Sequence, residues 1–117
     1  MRDAEERELE PGLIIRVVSA PSFCATKLTA FHGRGEGDYM GSHDLEDFVT
    51  VVDGRETLAA ELNAAEADLK AFVADEVRQL LTTPEFIDAL PGFLAPDAAS
   101  QRRLPVLLRR LRAIASL

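Results

Sequence analysis

Tryptophan is absent, tyrosine and cysteine occur once each, and histidine twice. No apolar run approaches the roughly 18–20 residues that a membrane span requires, so no membrane role is expected. The single cysteine, Cys24, excludes an internal disulfide framework, and two histidines without a spaced third ligand make no zinc site. The opening MRDAEERELE is polar and acidic and lacks the apolar stretch of a secretory signal. These absences point to the cytoplasm. Two further scarcities concern charge: residues 44–97 hold only three basic residues against thirteen acids, and no acid follows Ala98.

What is there fits one small domain over 1–117. Hydrophobic residues make up 47% and charged residues 28%, an ordinary soluble composition. A chain of 117 residues can bury roughly two-thirds of its unfolded surface in one core. The net charge of −7 argues against broad binding to a nucleic-acid backbone. Five arginines close the chain, and two readings stand for them. They complement the dipole of a final helix and the acidic body, or they touch an anionic partner.

Residues 1–10 read as a frayed or weakly helical lead-in ended by Pro11-Gly12. Leu13–Val18 is a β-branched run and the one convincing strand. Its hydrogen bonds need a partner, so the strand pairs in a dimer or belongs to a sheet elsewhere. Pro21-Ser22 opens a helix through Phe31, with Phe23, Lys27 and Ala30 on one face. Gly33, Gly35, Gly37 and Gly41 then predict a mobile or tightly turned loop. Ser42 is a good N-cap, with Asp44, Glu46 and Asp47 in the turn after it. Leu45, Phe48, Val49 and Val52 form the apolar face of that helix, which Asp53-Gly54 stops. Arg55 to Thr82 reads as two helices or one bent one, with stripes Leu58-Leu62-Ala65 and Leu69-Phe72-Val73-Val77-Leu80-Leu81. Pro84 starts a short helix with Phe86, Ile87 and Leu90, and Pro91-Gly92 ends it. Pro96-Asp97 leads into a last helix marked by Leu104, Leu107, Leu108, Leu111 and Ile114, in which Pro105 fits near the start or forces a kink. The expected fold is mostly α: five or six helices and one short strand.

The unusual segment is KLTAFHGRGEGDYMGSHDLED, Lys27 to Asp47. Asp44 and Asp47 are three apart and share a helical face. Two carboxylates and a lysine converging on a cleft can bind a metal–phosphate substrate. The plainer alternative is a polar loop with a capped helix behind it. Gly33-Arg34-Gly35-Glu36-Gly37 follows no strand and is neither of the familiar phosphate-binding fingerprints; its glycines cradle a phosphate or merely permit a turn. Gly41-Ser42 before Asp44-Leu45-Glu46 imitates the glycine-serine and paired-carboxylate signature of polymerase-type nucleotidyltransferases. A capped helix, however, makes Asp44 and Glu46 diverge. Cys24 lacks an obvious base and reads as a packing residue. Tyr39 and Met40 read as a loop anchor.

Taken together, Phe23 to Phe31, Gly33-Arg34-Gly35, Asp38, and Ser42-His43-Asp44-Leu45-Glu46-Asp47 resemble the later part of AbiEii-type nucleotidyltransferases. That family includes bacterial abortive-infection and toxin–antitoxin toxins. Its order is a K-x-x-A helix, an arginine, then a D-[LI]-x-D-[LIF] helix. Lys27 with Ala30, Arg34, and Asp44 to Phe48 match that order, and Val51 to Arg55 adds to the likeness. The resemblance spans roughly Ile14 to Leu81. It implies that Lys27, with Arg34, Gly33 and Gly35, contacts a nucleoside triphosphate. It also implies that Asp44 and Asp47 hold a magnesium ion or orient a hydroxyl, with Lys27, Asp44 and Asp47 as catalytic residues.

The family's glycine-serine turn and Asp-x-Asp strand, which bind two magnesium ions, are missing from these residues. Without that metal clamp most of the rate is lost. The expectation is therefore a partial or remnant nucleotidyltransferase, inactive alone. Magnesium and a nucleoside triphosphate would bind only with the missing half supplied, by a separate catalytic or antitoxin chain. The alternative is a small non-catalytic helical interaction or regulatory module, dimeric through its unpaired strand.

Overall fold

The computed structural model describes residues 4–10, 13–35, 39 and 41–117, with side chains from Ser19 to Gly33, at Tyr39 and from Gly41 onward. The expected Pro11-Gly12 stop, residues 36–38 and Met40 lie outside the described residues. The molecule is mostly helical, as its spacing of apolar residues predicts. Six helices of six or more residues are α1 (Ala20–Ala30), α2 (His43–Gly54), α3 (Leu58–Asn63), α4 (Ala67–Leu81), α5 (Pro84–Phe93) and α7 (Leu104–Ala115). A single turn, α6 (Ala98–Gln101), precedes the last.

The lead-in corrects one expectation. The backbone of Ala4–Glu10 (β1) is a strand, paired antiparallel with Leu13–Val18 (β2), with an irregularity between Glu8 and Glu10. The strand predicted at 13–18 therefore has its partner within the chain. The dense, mostly acidic charge of 4–10 hid that partner, because a strand signal built on β-branched residues does not register it.

Local chemistry sets the helix starts. The Ser19 hydroxyl accepts from the Ser22 backbone N–H at 3.2 Å and caps α1, with Pro21 in the first turn, where its missing N–H costs nothing. The Ser42 hydroxyl accepts from the Leu45 N–H at 3.1 Å and caps α2, as predicted. Asp97, not a continuous lead into the last helix, caps the separate turn α6: its carboxylate accepts from the Ser100 N–H at 2.9 Å and the Ser100 hydroxyl at 2.7 Å. Pro105 then falls in the first turn of α7 and forces no kink.

Two further expectations change. α5 does not end at Pro91-Gly92 but continues to Phe93. Pro91 lies in the last turn, where few ladder bonds remain to lose, and the Gln101 amide donates to the Pro91 and Ala95 carbonyls at 2.9 and 3.0 Å. Also, α1 runs directly into a π-helical turn over Phe31–Gly35, so Gly33 sits in a helical turn and not an open loop. Arg55 to Thr82 resolves into two helices, α3 and α4, meeting around Ala64–Glu66.

The core is one cluster. Cys24, Leu28 and Phe31 face inward from α1 and its π turn, and Leu45, Phe48, Val49 and Val52 from α2. α4 and α7 make the most extensive helix–helix contact, with Leu69, Val73 and Val77 buried on the one and Leu107, Leu111 and Ile114 on the other. Phe86 and Leu90 complete the cluster from α5. Phe72 and Ile87, read as stripe members, are instead the exposed large apolar residues, at 36% and 37%. Each lies about 100° around its helix from a buried neighbour, at the edge of the apolar arc.

Candidate functional site

α1 and α2 pack side by side, and their contact brings Lys27 against the start of α2. The Lys27 ammonium lies 2.8 Å from Asp47 Oδ2 and 3.7 Å from Asp44 Oδ1. It also stands 5.4 Å from the centre of the Phe23 ring, one turn back on α1. Asp44 is nearly buried, with 12% of its side chain exposed, while Asp47 opens to solvent at 47%. A carboxylate this deep needs compensation, and the Lys27 ammonium and the positive end of the α2 dipole both supply some. The Asp47 carboxylate, accepting from Lys27, raises the lysine above its ordinary 10.5, with both aspartate charges adding to this; Lys27 is a held cation.

The expected Lys27–Asp44–Asp47 grouping is thus assembled in space from two helices. Glu46 diverges, as a helix requires, and lies on the exposed side with His43, whose Nδ1 is 3.6 Å from Glu46 Oε1. Arg34 and Gly35 continue the π turn in backbone; the Arg34 side chain lies outside the described residues. Gly33 is exposed, and a Cβ built there meets nothing within 4 Å. Open space of this kind is not the close cradle that a phosphate-binding glycine forms.

Two contacts of the region escaped the sequence, those of His32 and Arg55, and one was expected, that of Tyr39. His32 pairs with Glu76 of α4 and ties the π turn to that helix. Tyr39 packs on Phe31 at 5.3 Å between ring centres, so the aromatic half of the expected anchor is in place. Arg55 holds Glu61 through two nitrogens, each at 2.6 Å, next to the end of α2, and so keeps the Glu61 carboxyl below its ordinary range. None has a spacing signature, since each joins residues whose proximity depends on how helices pack or on the short turn into α3.

Two carboxylates suit a magnesium ion only in part, because that ion takes one or two carboxylates and completes its shell with water and substrate phosphates. Among the described residues no group of three histidine, cysteine, aspartate or glutamate side chains could hold a metal. Asp44 and Asp47 offer carboxylate oxygens of the kind that ion takes.

No family model, curated protein or solved structure matches the chain. Among the described residues no helix is long and apolar enough to cross a membrane.

Proposed function

We propose that this chain is a partial or remnant AbiEii-type nucleotidyltransferase, contributing the lysine–aspartate wall of an active site whose metal-binding wall lies on another segment or chain. The observation that carries the reading is the Lys27 ammonium reaching both Asp44 and Asp47. The motif resemblance names these positions, and the two helices bring them together. In this reading Lys27 turns from its carboxylates to the triphosphate. Asp44 and Asp47 would hold a magnesium ion, which would supply charge stabilisation to the phosphates. Alone, the chain binds nucleotide without transferring it, because the Asp-x-Asp element is missing from its sequence.

The test is calorimetric titration of the purified chain with magnesium and each nucleoside triphosphate. Saturable heat that Lys27→Ala abolishes is the expected result. No heat with any nucleotide, from a sample shown to be folded, would sink the reading.

A second reading, a non-catalytic interaction module, draws on an open apolar groove of about 380 Å³ where Ala20 and Phe23 of α1 face Val51 and Gly54 of α2. A face of this kind favours association. Sedimentation at micromolar concentration decides the homodimer version: a clean monomer rules it out.

A further inference from the structure

A second surface, sharing no residue with Lys27, Asp44 and Asp47, lies between the start of α3 and the outer side of α7. Val106, Arg109, Arg110 and Ala113 recur at three, one and three along α7 and so form one stripe, beside the buried stripe of Leu107, Leu111 and Ile114. Across from them stand Leu58 and Ala59. Together they bound a groove of about 330 Å³, floored by Val52, Leu58 and Ile114. That is the size of a small ligand pocket, and ample for one leucine or phenylalanine side chain.

The charges at its rim differ in how they are occupied. Arg110 donates to the Asp53 carbonyl and, at 3.3 Å, to the Val52 carbonyl, at the negative end of the α2 dipole. Arg55 is neutralised by Glu61. Arg109 is exposed and has no hydrogen bond or ion pair among the described residues, and the same holds for the Arg102 and Arg112 guanidiniums before and after it. Glu56 is the one acid on the rim. In a chain of net charge −7, the stretch after Ala98 has no acid at all. An apolar slot bordered by Arg109, which has no side-chain partner among the described residues, is complementary to an apolar side chain set among carboxylates. Cations spread from Arg102 to Arg112 exceed what a single small acid spans, which favours an extended ligand. A phosphate backbone would leave the apolar floor unused.

We propose that the α3–α7 groove docks an acidic segment of a partner protein, one large apolar side chain entering the slot and its neighbouring carboxylates meeting Arg109, Arg102 and Arg112. The site is independent of the nucleotide reading and stands or falls separately from it.

The experiment is fluorescence anisotropy on the full chain with a labelled peptide of glutamates around one central leucine. A second peptide has alanine in place of that leucine, and a mixed-sequence single-stranded RNA serves as the competing polyanion. Saturable binding of the leucine peptide is expected. It should weaken by about tenfold or more with Arg109→Glu, with the alanine peptide, and with Ala113→Phe, which fills the slot from an exposed position. Ala59→Leu fills the slot from the α3 side, so misfolding of one variant leaves the other as the test; circular dichroism establishes which are folded. Three results overturn the proposal: no peptide binding, binding indifferent to the leucine and to both filling substitutions, or tighter binding of the RNA than of the peptide.

Discussion

The Cys24 thiol is fully buried, and burial, with a smaller push from the Glu61 charge, raises it from an ordinary 9.0 to about 12. Folding therefore favours the neutral thiol. The stability this contributes is complete below pH 9.0 and is lost as pH rises toward about 12. Lys27 has the same sign, because its carboxylate partners raise it: its contribution is whole below 10.5 and fades as pH climbs through its raised value. Melting temperature followed through the alkaline range should fall in the native chain. It should fall less steeply in Cys24→Ala, which keeps only the lysine share, and an unchanged slope in that variant would refute the assignment. By the same burial, a thiol reagent at mild pH should react with Cys24 far more slowly in the folded chain than in urea. The identity of Cys24 as a packing residue was legible in the sequence from its lack of a base. The convergence of Lys27 on Asp44 and Asp47 was legible only as a possibility of spacing, because it depends on how α1 and α2 are rotated about their axes.

At the scale of elements, capping carries much of the specification. Ser42 and the acids after it announced α2, and the structure starts the helix there; Ser42→Ala should cost about 1 kcal/mol, measured as a lower urea midpoint at unchanged slope. A midpoint equal to that of the native chain would show that the dipole and packing hold the turn without the hydroxyl. Asp97 is a cap the sequence showed only as part of a Pro-Asp lead, since one helix and two helices in series share the same leucine spacing. The Ser100 hydroxyl and N–H lower the Asp97 carboxyl below its ordinary 3.8, and Arg55 lowers Glu61 below 4.5. Both carboxylates stabilise the fold above those values and cease to do so as pH falls through their lowered ones. Asp97→Asn should accordingly flatten part of the acid limb of a stability–pH curve. The β1–β2 pairing was not legible, because the partner strand is mostly charged and has no β-branched run.

Across the whole molecule most of the apolar faces read from spacing meet in the core; Phe72 and Ile87 are exposed, and α1 turns Cys24 and Leu28, rather than the predicted face of Phe23, Lys27 and Ala30, into that core. Phe48 and Phe86 are fully buried there. Either phenylalanine changed to alanine should cost about 3–5 kcal/mol, a large share of the roughly 5–15 kcal/mol that holds a domain folded. Denaturant unfolding reads this directly, and a loss under about 1 kcal/mol would mean the core collapses around the gap. Two arginines of the closing stretch fasten the end of α2. Arg103 grips the Asp53 carboxylate at 2.9–3.2 Å, and Arg110 grips the Val52 and Asp53 carbonyls. Those bonds join residues 50 to 58 positions apart. α7 also lays Leu107, Leu111 and Ile114 into a core whose other buried members run from Cys24 to Leu94. On the ribosome the order of events is then fixed. Helices α1 to α5 emerge first and wait with an apolar face uncovered, and the domain closes only once Ile114 has cleared the exit tunnel. Synthesis delivers roughly 5–20 residues per second, so that exposed interval lasts for seconds and is the point at which a chaperone would meet this chain.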